Sequence, residues 1–328
     1  MGIKYLNNFF RTECGESIKA ITIAELSGKK IAVDISIYTY KYESNEALIE
    51  NMYLMLATFR QYNIIPIFVF DGKPPTEKKA LLQKRKEDKK AAEKEYNILK
   101  QKIENNNVSA DDKEEIISNM DLLKKQFIYI TREKISIVKN LIRSYGATYY
   151  DAPGEADELC ALLVLKNKVW ACLSEDMDMF VYGCTRVIRY LSLANSTAVL
   201  YDMKGILVNL GLTQKELKDI CVLSGTDYNI QNCDKTKNKP NLYETIKLFE
   251  KYKNECKNKN NDLEFYEWLK INSTYIIDYE LLKSIYDIFD LKNINLITFE
   301  KIKITNGPID SENIKNILKT DGFLFPAN

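Results

Sequence analysis

The chain predicts an α/β fold, a mainly parallel central sheet flanked by helices. Three apolar runs of strand length carry that prediction: Lys29–Val33, Ile64–Phe70 and Val169–Leu173. Between them the apolar spacing turns helical, with Leu48, Met52, Met55 and Phe59 in one stretch and Leu159, Leu162 and Leu163 in another. Each strand is followed by acid: Asp34 after the first, Asp71 after the second, Asp176 and Asp178 after the third. Alternating strands and helices imply parallel strands, so these acids share the carboxyl edge of one sheet, where ligands of such sheets sit.

Taken in order, Met1-Gly2-Ile3 opens a short amphipathic start. A strand ending before Asp34, one helix and a second strand follow, and Asp71-Gly72-Lys73-Pro74-Pro75 stops that strand with turn chemistry. Residues 73–102 then carry eleven Lys and Arg against five acids in a weakly apolar helical pattern. Such a run is ordinarily a solvated helix; beside an acidic edge it also suits a polyanion. The pattern breaks at Asn105-Asn106-Asn107, and a second polar helix runs from Asp111 to Lys125. Thr131–Tyr145 reads as an amphipathic helix and Ala147–Tyr150 as a short strand.

Pro153-Gly154 signals a helix start, and the helix runs from Glu155 to Lys166. Val187–Leu191 and Thr197–Tyr201 read as a hairpin at the sheet's edge. Thr213 and Glu216 form a capping box for a helix ending at Leu223, and Asp227 adds one more acid at an element's end. Residues 234–259 carry eight Lys against four acids, and helical patterning continues to an apolar Gly-Phe-Leu-Phe-Pro. The division expected is 1–72 and 131–228 as two α/β blocks, 73–130 as a basic helical insertion, and 229–328 as a helical carboxyl-terminal region.

Composition narrows the chemistry. The net charge is +1, so only its distribution says anything about partners. The seven cysteines lack C-x-x-C pairs and read as reduced intracellular thiols. With no apolar run of membrane-span length and no signal-like start, the expectation is a soluble intracellular protein without a membrane partner. Histidine is absent, which excludes Ser-His and Cys-His nucleophile schemes. Carboxylates with Lys, Arg and Tyr remain, and they suit hard cations such as Mg²⁺ or Mn²⁺.

Between Asp151 and Asp178 stand seven acids against Lys166 and Lys168. Converging carboxylates repel one another and need protons or metal, and metal is the reading adopted. Glu155 and Asp157 are two apart, so they share a site only at the helix tip. Glu155 and Glu158 do share a face, which keeps Glu158 as a rival to Asp157. First-turn acids also complement the helix dipole, the ordinary reason for their presence. Acid after three separate strands tips the balance toward a site.

These motifs together resemble the flap endonuclease family of XPG-type structure-specific 5′ nucleases, over roughly residues 1–230. Met-Gly-Ile, Ile-Ala-Val-Asp34-Ile-Ser and Val-Phe-Asp71-Gly-Lys-Pro-Pro look like its first block. Ala-Pro-Gly-Glu155-Ala-Asp157, Ser-Glu-Asp176-Met-Asp178 and Leu-Ser-Gly-Thr-Asp227-Tyr look like its second. The resemblance implies a PIN-like fold in which 1–72 and 131–228 are the nuclease blocks, 73–130 is an inserted helical arch and 229–328 is a helical DNA-binding region. It implies Asp34, Asp71, Glu155, Asp157, Asp176, Asp178 and Asp227 as metal carboxylates for two Mg²⁺ ions, with Mn²⁺ a possible substitute. Lys78 and Arg85 match the family's catalytic cations, and Tyr40 matches an aromatic that stacks a base.

Two departures stand out. Asp157 replaces the family's usual Glu, one methylene shorter. After Asp227 the usual Gly-x-Gly hairpin is replaced by a glycine-free, lysine-rich loop, so Lys235, Lys237 and Lys239 are expected to grip duplex phosphates. No sliding-clamp peptide and no long basic tail are visible. The resemblance implies a monomeric, Mg-dependent hydrolase of DNA with a 5′ flap or free 5′ end, in the nucleus or a cytoplasmic replication site. The alternatives are a 5′-to-3′ exonuclease acting on DNA or RNA, and a non-catalytic nucleic-acid-binding module.

Overall fold

The computed structural model describes residues 2–104, 110–228, 240–259, 263–291, 300 and 302–325. Asn105, Asn106, Asn107, Lys235, Lys237 and Lys239 lie outside the described residues. Helix α1 (Leu6–Glu13) leads into β1 (Ile18–Thr22) and β2 (Lys30–Asp34). After these come α2 (Ile35–Glu43), α3 (Leu48–Gln61) and β3 (Ile65–Phe70). Two long helices, α4 (Lys79–Glu104) and α5 (Ala110–Lys124), pack on each other before α6 (Arg132–Ser144) and β4 (Thr148–Asp151). The second block holds α7 (Ala156–Leu165), β5 (Ala171–Leu173), α8 (Asp178–Val181), β6 (Arg186–Ser192) and β7 (Thr197–Asp202). Helices α9 (Met203–Leu210), α10 (Gln214–Ser224), α11 (Leu242–Lys259), α12 (Phe265–Asn272), α13 (Tyr279–Ile288) and α14 (Ser311–Thr320) follow.

The seven strands form one sheet in the order β1-β7-β6-β5-β2-β3-β4. From β6 to β4 every pairing is parallel, and only β7 and β1 join antiparallel. A parallel sheet is buried on both faces, which explains why β2, β3 and β5 read as continuous apolar runs. Alternate residues feed two cores. Ala32, Ile67, Val69 and Cys172 face a layer containing α1, α7, α10 and α11. Ile31, Val33, Phe68 and Leu173 face α2, α3, α6 and α14. Phe59 of α3 stacks on Phe68 with centroids 6.5 Å apart, and burying a ring of that size contributes about 2 kcal/mol.

The structure corrects three local expectations. The apolar spacing after Asp34 predicts one helix, and there are two, divided where Glu46 takes a positive φ of 55°. No strand is predicted before Lys29, yet β1 pairs with β7 from Ile18↔Tyr201 to Thr22↔Thr197. The β6–β7 hairpin is therefore not the sheet's edge, because β1 covers it. The predicted capping box of Thr213 and Glu216 opens α10, and a further cap opens α6, where Thr131 accepts from the Lys134 N–H.

After α13 the chain returns to the first block. Gly307 N–H donates to Gly146 O at 2.8 Å, and Arg60 Nη2 and Asn306 Nδ2 bond Gly307 O and Ile64 O. Gly146 has φ +69°, and a Cβ there would lie 2.5 Å from Gly307 O, so the close crossing needs glycine. Helix α14 then packs on α6, burying Ile314, Ile317 and Leu318. Among the described residues no helix is long and apolar enough to cross a membrane.

Candidate active site

Parallel strands bring their carboxyl ends to one side, and β2, β3 and β5 deliver Asp34, Asp71 and the 174–178 loop there. Asp34 closes β2 and is buried, and its Oδ2 accepts from Ser174 Oγ at 2.9 Å. Asp71 follows β3 and takes two bonds, from Ser36 Oγ at 2.5 Å and from the Ala156 N–H at 2.9 Å. The second bond seats its carboxylate on the tip of α7, where the helix dipole favours an anion. The Gly72 N–H, bonded to Gly154 O at 2.7 Å, fastens the same two turns together.

Glu155 stands at the N-cap position of α7, its side chain making no bond to the helix's own N–H groups, and Asp157 lies in the first turn, both buried. The negative charges acting on Asp157 are those of Glu155, then Asp176 and Asp178. Glu155 also acts on Glu158, whose carboxylate covers Gly154. Within the loop, Asp176 Oδ1 accepts from the Asp178 N–H at 3.0 Å, and the Asp176 N–H donates to Ser174 Oγ at 3.1 Å. Gly2, at φ +75°, lies against both acids. A Cβ on Gly2 would be 2.6 Å from Asp176 Oδ1 and from Asp178 Oδ1.

Two cations reach in from the helical insertion. Lys78 pairs with Glu155 Oε1, and Arg85 Nη2 lies 2.9 Å from Asp227 Oδ2. Glu155 has a second partner that the sequence reading did not assign, the Tyr228 hydroxyl, at 2.7 Å from Oε2. Phe289 of the helical region packs edge-on to the Tyr228 ring at 5.8 Å. The signals for Ser36, Ser174 and Tyr228 were present, since each sits one or two residues from a motif acid. Tyr40 is 47 % exposed on α2, and Lys89 of α4 lies 4.9 Å from its ring centroid.

Electrostatically the edge is frustrated. Burial, and then the Asp71 charge, pushes Asp34 up to about 7. Asp157 and Asp178 are held well above the usual carboxylate range by burial first, then by Glu155 and Asp176 respectively. Burial also raises Asp176. For Lys78, burial opposes the charge, but Glu155, Asp157 and Asp176 outweigh it and raise the ammonium.

Among the described residues no three acids close into a ready-made ion cage. The donor set still fits a hard cation. All the donors are oxygens, and Asp178 Oδ1 is buried without a hydrogen-bond partner, which is costly unless something positive meets it.

A mainly parallel sheet with acids along its carboxyl edge and a cationic helical insertion is the PIN-like nuclease architecture. The XPG N-terminal domain family matches residues 1–92, and the XPG I-region matches residues 146–227. Flap endonuclease 1 of Nematostella vectensis is 31% identical over 255 residues, 72% of this chain and 63% of that protein. Flap endonuclease 1 of Drosophila mojavensis is 31% identical over 255 residues, 72% of this chain and 62% of that protein. The matched stretch thus spans somewhat less than two thirds of these relatives' length.

Among solved structures, the catalytic core of Rad2 in complex with DNA substrate superposes with a TM-score of 0.66 at 21% identity. It covers 95% of this chain and 94% of that one. Flap endonuclease-1 from Methanococcus jannaschii gives 0.61 at 22% identity, covering 93% and 90%. The chain belongs to the XPG-type flap endonuclease family.

Proposed function

We propose that the chain is a metal-dependent, structure-specific 5′ nuclease that hydrolyses phosphodiester bonds in DNA carrying a 5′ flap or a free 5′ end. One observation carries the reading: acids from three strand ends and one helix tip meet two cations from a helical insertion at a single edge. Asp34, Asp71, Glu155, Asp157, Asp176, Asp178 and Asp227 would hold two Mg²⁺ ions, or Mn²⁺ in their place. Bound there, the ions supply an activated water and offset phosphate charge.

The chain's own groups do the rest. A phosphate entering the edge competes with Glu155 and Asp227 for Lys78 and Arg85. Those cations then meet the charge that builds on the scissile group. Tyr228 keeps hold of Glu155 when Lys78 turns to the phosphate. Tyr40 offers a ring face to the base beside that phosphate once Lys89 moves aside. Lys235, Lys237 and Lys239 bind duplex phosphates by charge alone. The protein works as a monomer, in the nucleus or at a cytoplasmic replication site.

The test is cleavage of 5′-labelled double-flap DNA with and without Mg²⁺. Products at the flap junction that vanish with chelator are expected, and no cleavage with either Mg²⁺ or Mn²⁺ would refute the reading. A ribonucleotide-substituted flap separates this activity from an exonuclease acting on RNA.

A further inference from the structure

Arg189 of β6 is a cation that pairs with none of the seven carboxylates of the acidic edge. It is only 6% exposed, a setting arginine rarely occupies unless its donors are engaged. Nη1 donates to Asn7 Oδ1 at 2.7 Å and lies 2.9 Å from the Met177 sulfur. Nη2 donates to the Glu175 carbonyl at 2.8 Å, and Nε lies 3.6 Å from the Glu175 carboxylate. The guanidinium also lies 4.9 Å from the Tyr190 ring and 5.6 Å from the Tyr201 ring.

The partners decide what this does. Glu175 and Met177 flank Asp176, so one rigid fork grips the acidic loop on both sides of a metal carboxylate. Asn7 belongs to α1, whose lead-in residue Gly2 abuts Asp176 and Asp178. Asn7 is fixed in turn, accepting from the Tyr201 hydroxyl at 2.7 Å and donating to the Tyr190 hydroxyl at 2.9 Å. The strand itself bends to make the grip. A register shift falls between Arg189 and Ser192, and Tyr190 takes φ +54°, where its N–H reaches Glu175 Oε1 at 2.6 Å. Left-handed backbone at a tyrosine is strained and persists only where surrounding contacts over-determine it.

We propose that Arg189 is a positioning residue that locks the 174–178 loop to the amino-terminal helix and so sets the spacing at which Asp176 and Asp178 take a divalent cation. The proposal rests on the metal-dependent reading above. When a cation draws Asp176 and Asp178 into the charged form, the two carboxylates repel across the loop, and the Asp178 N–H bond to Asp176 and the Asp176 N–H bond to Ser174 Oγ are the local restraints against that. A planar guanidinium with donors fixed in a fork holds both flanking residues at once. A lysine, with one rotatable ammonium, does not.

The experiment is calorimetric titration of Mn²⁺ into the full chain without DNA, comparing wild type with Arg189→Lys and Asn7→Ala. Single-turnover flap cleavage is measured in parallel. Arg189→Lys is expected to weaken Mn²⁺ binding about tenfold, the low end of what losing a partner of a metal ligand itself costs, because Arg189 acts through the residues on either side of Asp176. Asn7→Ala should weaken it less. In both, excess Mn²⁺ should restore cleavage while KM for DNA changes less than twofold. Asn7→Ala decides the matter if Arg189→Lys does not fold. Mn²⁺ affinity equal to wild type in the folded variants, with only a lower unfolding temperature, overturns the proposal. A wild type that takes up no Mn²⁺ overturns the metal-dependent reading, and this proposal with it.

Discussion

Tyr228 and Glu155 meet through a 2.7 Å hydrogen bond to Oε2, on the carboxylate oxygen that Lys78 leaves free. Glu155 is thus held twice, by a neutral donor and by a cation. Tyr228→Phe removes one holder and leaves a buried charged acceptor short of a donor, a loss of about 1.5 to 3 kcal/mol. The expected result is a lower unfolding temperature and a slower single-turnover rate with DNA affinity unchanged. A variant as fast as wild type would show that Lys78 alone suffices.

Asp176→Ala and Asp178→Ala should each abolish cleavage in Mg²⁺ while DNA binding stays intact or tightens. Removing a negative charge next to a phosphate weakens repulsion even as a proposed metal ligand is lost. Anisotropy binding curves beside a cleavage time course check both halves. Turnover retained in both variants would remove these acids from the metal set.

Lys78→Ala and Arg85→Ala should slow the single-turnover step far more than they weaken binding. The insertion has many other cations for docking, whereas a contact with the scissile phosphate acts chiefly in the transition state, at about 3 kcal/mol. A salt-dependent loss of affinity with an unchanged rate would make them docking residues instead.

In chelator, stability should fall as pH rises from about 4 to above 7. Asp34 is held at about 7 in the folded chain, above the ordinary carboxylate value of about 3.9, so folding takes up a proton within that window. The stability it confers is complete at low pH and is lost as the folded group ionises, on the order of 4 kcal/mol at most. Unfolding temperatures in chelator at pH 5 and pH 8 test this. Wild type should drop, and Asp34→Asn, which has no charge to expel, should drop less. Equal drops would exclude Asp34 as a source.

Lys235→Ala, Lys237→Ala and Lys239→Ala combined should flatten the slope of log K against log[salt] for duplex DNA by roughly 2 to 3, at about 0.9 per lost phosphate contact. Wild-type binding should not distinguish KCl from NaCl. An unchanged slope would leave the loop without a role in binding.

The acids were legible because each follows an apolar run, and parallel pairing of those runs leaves the acids one edge to share. The partners of those acids were not. A serine beside an aspartate looks like any turn serine until Ser174 Oγ is found on Asp34 and Ser36 Oγ on Asp71. Lys78 and Arg85 were marked by their match to the family's catalytic cations, but only the packed chain pairs them with Glu155 and Asp227. Strand β1 escaped notice for a related reason. Only Ile21 of its five residues is buried, so its alternation is faint, and its pairing with β7 is tertiary.

Helix α14 wedges Ile314, Ile317 and Leu318 into the layer beneath α3 and α6, so that layer is closed by residues made late. On the ribosome, Asp34 and Asp71 emerge long before the segment that completes the packing under their strands. A chain synthesised only as far as α13 therefore holds its acids on a sheet whose second layer is still open. Chains stalled before residue 311 should leave flap DNA uncut, and cutting should appear once residues 311–320 clear the exit tunnel.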